Sequence, residues 1–251
     1  MKNLLIVFLV IILKINLSYS QVNIESKRAK INNKETKFTS ELGIDLNKGA
    51  VKELEYKLNI RLDKMLNKEN TILSLFDYSY GEAKDEKFKN ELFFHTRLTS
   101  MILLERKIGF EIFVQSQKNE FMKLNLRQLL GTIIRLQTFS ISNFNGFLGI
   151  GVMKEWESIE KSKDNNDIRL TNYITFILEN KEKYKIFNTT YYQPLIKNTS
   201  DYRVNSEIAI IFMFTKVLGL KNSVKLLYDS NPPPEVDKLN NSIDVDFVIE
   251  Y

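Results

Sequence analysis

IGFEIFVQ, residues 108–115, has two readings, and the choice between them sets the fold. Ile108, Phe110, Ile112 and Val114 alternate along it, and β-branched and aromatic residues dominate, as in a strand. SQKN at 116–119 could then turn the chain into a second strand, EFMKLN. The same residues can instead prolong a helix, with Gly109 tolerated at a cost of about 1 kcal/mol. The flanking segments read as helical, and that context tips 108–115 toward helix.

Upstream, Val51, Leu54, Leu58, Leu62 and Met65 step by three and four, which draws one apolar stripe on a helix starting near Asn47. A second helix spans 85–107. Phe88, Leu92, Thr99, Ile102 and Leu103 share one side of it, and Phe94, Leu98 and Met101 cover another, which suits a buried position. Downstream, Leu126, Leu129, Leu130, Ile133 and Leu136 form a third stripe, and Leu170, Tyr173, Ile174, Ile177 and Leu178 a fourth. Shorter helices fit 152–163, 207–218 and 221–229. Only SIDVDFVIEY, 242–251, alternates cleanly, with Ile243, Val245, Phe247 and Ile249 on one face. Its final Tyr251 is what an outer-membrane barrel strand often ends in, but a barrel needs many such strands, and the other segments read as helices. The expected fold is mainly α: a single multi-helix bundle-like domain over 47–251, with a small C-terminal β-strand pair or hairpin.

The N-terminus carries a different signal. Lys2, the apolar run Leu4–Leu13, and the small residues Ser18 and Ser20 before Gln21 follow the plan of a cleaved secretory signal peptide over 1–20. The run is about half of what a spanning helix needs, and Lys14 closes it. The expected location is periplasmic or secreted, in a bacterium, with no transmembrane span after cleavage. Residues 21–46 read as a polar, flexible leader. Cleavage removes Lys2 and Lys14 and no acid, so the charge falls from +5 to +3. That is too mild to drive nucleic-acid binding. The absence of cysteine excludes disulfides, thiolate metal sites and a cysteine nucleophile. No cofactor is expected.

Catalytic candidates are few. His95 is the only histidine, so a two-histidine zinc site is excluded, and any serine triad would have to use it. A buried core histidine, paired with Glu91 one turn earlier, is the favoured reading. Glu155 and Glu157 flank the only tryptophan, Trp156. A glutamate against an aromatic wall can serve as general acid on a glycosidic bond. Glu157-Ser158 is similar to the Glu-Ser of helical lysozyme-like envelope enzymes, although no other motif of that family is present. On a helix, residues two apart point in different directions, which favours solvated charges. Trp156, Tyr191 and Tyr192 are the best contact candidates. Asp244 and Asp246 read as the exposed polar side of a strand. No metal site is expected.

NGFLGIGV, 145–152, has glycines in the reverse of the dinucleotide-loop spacing and no P-loop lysine, so it reads as a packed crossover after a left-handed cap at Asn145-Gly146. Taken together, these features predict an exported, non-enzymatic helical protein that binds a protein or another cell-envelope component, in an adaptor, inhibitor or immunity-type role. Two alternatives are a cell-envelope glycan hydrolase with a glutamate general acid, and a carrier of an apolar ligand.

Overall fold

The computed structural model describes residues 36–48, 52–83, 86–103, 107–120, 122–161, 164–180 and 183–250. These residues contain thirteen strands and no helix. The strands are β1 (Thr36–Lys48), β2 (Lys52–Met65), β3 (Asn70–Ala83), β4 (Glu86–Leu103), β5 (Ile108–Asn119), β6 (Leu124–Ile141) and β7 (Phe144–Ile159). They continue as β8 (Asn165–Leu170), β9 (Asn172–Asn180), β10 (Tyr184–Leu195), β11 (Asn198–Met213), β12 (Leu218–Asp229) and β13 (Leu239–Glu250).

All neighbours pair antiparallel in chain order, and β13 returns to pair with β1. β8 and β9 are two halves of one wall strand, both lying between β7 and β10 and interrupted only at Thr171. The wall is therefore a closed twelve-stranded barrel. At the closing seam β1 and β13 pair over Thr39–Leu42 and Phe247–Glu250, and around the rest of the wall neighbouring strands satisfy one another's backbone donors and acceptors.

The mainly α bundle expected from the sequence is overturned, and β5 shows why. IGFEIFVQ is a strand. Phe110, Ile112 and Val114 are exposed on the outside, and Glu111, Phe113 and Gln115 are buried inside. Other strands repeat this inversion. Leu126, Leu130 and Ile134 of β6 face out and Arg127 and Arg135 face in; Ile208 and Phe212 of β11 face out and Arg203, Asn205 and Glu207 face in. A soluble sheet keeps its apolar face inside. Here the apolar face is on the outside and most of the charges are within, which is how a barrel surrounded by lipid alternates. The helical stripes arose because a step of four residues fits one helical turn and also two strand pleats. Leu54, Leu58 and Leu62 share the outer face of β2 in this way.

β1 begins and β13 ends at one rim, the terminal rim. Among the described residues, the far rim carries the turn at 196–197, the long connection 230–238, and residues 122–123 and 160–161 of the β5–β6 and β7–β8 connections. Turns at the terminal rim use short-range polar capping. Asn67 Oδ1 accepts from the backbone N–H groups of Glu69 and Asn70 in the β2–β3 turn. Thr215 Oγ1 accepts from those of Val217 and Leu218 in the β11–β12 turn. The signal-peptide region 1–20 lies outside the described residues, as do residues 21–35 of the stretch read as a leader. Residues 36–46 of that stretch belong to β1.

Candidate functional site: the barrel lumen

Strand pleating places residues i and i+2 on one face, so Glu155 and Glu157 of β7 point together into the lumen while Trp156 points out. The helical reading, which turned the two carboxylates apart, is corrected by this geometry. Both glutamates are buried. Arg203 of β11 donates to Glu155 at 2.7 Å, to Glu157 at 3.2 Å and to Asp229 of β12 at 2.9 Å. Arg127 of β6 donates to Glu157 at 2.7 Å, and Arg169 of β8 donates to Glu155 at 3.1 Å and pairs with Asp201 at 2.8 Å. The result is an ion network that ties β6, β7, β8, β11 and β12 together across the lumen near the far rim. Each carboxylate is occupied by two arginines, which leaves neither free to reach a glycosidic oxygen as a general acid.

At mid-height the lumen is narrowed by side chains. Phe113, Leu129, Ile133, Met153, Tyr173 and Tyr191 form a buried apolar cluster on the β5–β10 side. His95 is fully buried beside it, with its ring stacked between Phe93 at 6.2 Å and Phe113 at 5.4 Å and its Nδ1 3.2 Å from Gln115 Oε1. Between these side chains lies a cavity of about 30 Å³ bordered by His95, Arg97, Gln115, Tyr191, Gln193 and Asn205. That is room for one water molecule. Toward the terminal rim, Arg97 donates to Glu111 at 2.8 Å and Arg135 donates to the Tyr173 hydroxyl at 2.9 Å.

Glycines make this waist possible. A Cβ on Gly149 would lie 2.1 Å from the Tyr173 ring, and one on Gly131 would lie 2.4 Å from the Phe113 ring. NGFLGIGV is therefore part of β7, and its Gly149 seats an aromatic ring that fills the lumen. The opposite wall is ion-paired rather than aromatic. Lys57 donates to Asp244 at 3.0 Å, Lys225 pairs with Asp244 at 3.2 Å, and Lys221 pairs with Glu41 at 3.4 Å and with Glu207 at 3.5 Å. Asp244 and Asp246, expected on an exposed face, are buried on the inner one.

The far rim is bridged. The β5–β6 turn and the 230–238 connection lie diametrically opposite, six strands apart in either direction around the wall. They nevertheless meet. Lys123 forms an ion pair with Glu235, and the Asn240 side-chain amide lies 4.0 Å from Met122 Sδ, with Met122 buried. Pro232–Pro234 stiffen the strap, and the Asn231 side chain anchors it to Asp201. The hydrogen bond and charge of Lys123 hold the Glu235 carboxyl below its ordinary range.

The contact candidates separate across the wall. Tyr191 is inside. Tyr192 and Trp156 are outside, and Tyr192 begins a ladder in which its ring lies 5.7 Å from that of Tyr202, which lies 5.5 Å from Tyr228. Sequence reasoning did not find Arg127, Arg169, Arg203 or Asp229. Their signal was charge recurring on alternate residues among apolar neighbours, which resembles a solvated helix face until the strand period is recognised.

Residues 40–251 match the model of a family described as "Protein of unknown function, DUF481". The chain belongs to this family. A comparison of the sequence with curated proteins finds no match. Among solved structures, the barrel is similar to an outer-membrane channel from Pseudomonas putida F1, with a TM-score of 0.54 and 12% identity over 88% of this chain and 97% of that one. It is also similar to the NanC porin, with a TM-score of 0.50 and 7% identity over 85% of this chain and 97% of that one. At such identities the likeness is one of fold. The porin-like barrel overturns the helical adaptor, the helical glycan hydrolase and the apolar carrier between phenylalanine-rich helices. It also removes the ground for expecting no transmembrane span, because strands can cross a bilayer as well as helices.

Proposed function

We propose that this protein is an outer-membrane β-barrel channel, exported by residues 1–20, whose lumen is a narrow polar passage closed at rest by its own side chains. The observation that carries this is the inverted alternation of the wall, with apolar residues on the outside and buried ion pairs and amides within. The terminal rim faces the periplasm, and the far rim, with its longest connection, faces outward. Passage requires two rearrangements: the strap must leave the mouth, and the rings at the waist must turn aside. The lumen carries interleaved cations and acids rather than a field of one sign, so the reading favours small polar solutes without strong charge selection.

Single-channel recording in planar bilayers tests this. The wild-type chain is expected to insert and to give small or rare openings, because its waist leaves a cavity of only about 30 Å³. Phe113→Ala combined with Tyr191→Ala is expected to raise the open conductance several-fold while insertion is unchanged. A wild type that stays in the aqueous phase without disturbing the bilayer would overturn the reading. So would a wide, permanently open pore that the double variant does not alter.

A further inference from the structure

On the outer wall near the far rim, Phe94 of β4, Val114 and Ser116 of β5, Gln128 and Leu130 of β6, and Trp156 of β7 border an open groove of about 510 Å³. Gln115 and Leu129 also border it, yet their side chains point into the lumen, so its floor is backbone. The short Ser116 side chain among larger apolar ones gives the groove its depth. Its lining is mainly apolar, with two neutral polar side chains, Ser116 and Gln128, on the same outer face.

Lys154 stands at its edge. It is directly opposite Leu130 in the β6–β7 register, as Trp156 is opposite Gln128. Its ammonium lies 6.0 Å from the Trp156 ring centroid. Among the described residues, Lys154 is the one charged side chain on the outer face more than two residues from a strand end, and it has no acidic partner. A lysine facing hydrocarbon is costly at the bilayer midplane and nearly free at the interface. Two residues of strand place it roughly 7 Å below Trp156 along β7, within reach of the interface by extension of its stem. The lumen lysines described above have carboxylates beside them. This one faces outward, where the anions available to it belong to lipid.

We infer that this groove is a binding site for an acylated lipid with an anionic phosphate headgroup, the chain lying along Phe94, Val114 and Leu130 and the phosphate meeting Lys154 and the Gln128 amide. The inference rests on the membrane-barrel reading above. It assigns to one stretch of the wall, β4–β7, a preference that the rest of the apolar belt lacks. Trp156 closes the groove at the headgroup level, where indole rings are favoured.

Native mass spectrometry of the full chain released from detergent micelles tests it. The probes are phosphatidylglycerol and phosphatidylcholine of identical acyl chains, supplied at equal concentration. The wild type should retain the anionic lipid about fivefold over the zwitterionic one, the scale of one lysine near a membrane surface. Lys154→Met should abolish that preference while still retaining lipid through the apolar groove. Lys118→Met, which removes an outer lysine at the rim already paired with Glu120, should leave it intact. Equal retention of both lipids by the wild type overturns the site, as does a preference that survives Lys154→Met or that Lys118→Met removes equally. Insertion of each variant into vesicles is measured alongside. Failure of the wild type to insert would strike the membrane-barrel reading, whereas insertion without lipid preference strikes this site alone.

Discussion

Replacing Arg203 with methionine removes the cation that joins three carboxylates across the lumen. Its side chain is 6% exposed and that of Glu155 is 1% exposed, so the pair belongs with buried ion pairs, not surface ones. A surface pair contributes about 0–1 kcal/mol. Removing one partner of a buried pair costs about 3–5 kcal/mol, because the other charge is left in a poor medium. Glu155 and Glu157 keep Arg169 and Arg127, while Asp229 loses its arginine. The lower end of the range applies, about 3 kcal/mol. Guanidinium unfolding from lipid vesicles, followed by Trp156 fluorescence, reads this directly. With a slope of about 4 kcal/mol per molar, the midpoint should fall by roughly 0.7 M. Adding Glu155→Gln to Arg203→Met should recover part of the loss, since a neutral amide no longer needs the missing cation. A midpoint shift below about 0.25 M, with no recovery in the double variant, would show that water already solvates the network and that the lumen is open there.

Three further outcomes follow from the same geometry. Ile134→Arg places a charge on the outer face of β6, and a midplane arginine costs about 2–4 kcal/mol; the same substitution at Ile196, exposed in the β10–β11 turn, should change stability by less than about 0.5 kcal/mol. Gly149→Ala must displace the Tyr173 ring, which a Cβ would meet at 2.1 Å, and should cost about 1–3 kcal/mol in the same titration. Because Lys123 depresses the Glu235 carboxyl, the strap's ion pair is present above the ordinary glutamate range and is lost only as pH falls through the depressed value. Hydrogen-exchange protection of residues 230–238 should therefore hold at pH 5 and drop in stronger acid, whereas Glu235→Gln should show the reduced protection already at pH 7.

The architecture was not legible in the sequence, for reasons visible in particular strands. Leu126, Leu130 and Ile134 sit outside on β6 while Leu129 and Ile133 sit inside, in the waist cluster. Apolar side chains on both faces erase the alternation and leave the three-and-four spacing of a helix. In β7 the alternation is intact as Lys154, Glu155, Trp156, Glu157, but the segment is charged enough to resemble a solvated helix. Residues 242–251 show the strand period plainly, and 242–250 lie in β13, yet the faces are reversed: Asp244 and Asp246 are buried and Val245 and Phe247 exposed. Which face meets solvent depends on what the solvent is, and an apolar–polar pattern alone does not say. The partners of Glu155 and Glu157 come from strands up to 48 residues away, so the lumen network becomes legible only once the barrel is closed.

Trp156 offers the most direct test of the central claim, because it is the only tryptophan in the chain and lies on the outer wall close to one rim. In vesicles containing lipids brominated at defined acyl positions, its fluorescence should be quenched strongly, and most by bromines near the headgroup, with little quenching by aqueous acrylamide. Strong acrylamide quenching with no response to brominated lipid at any depth would place the apolar wall in water and contradict the account.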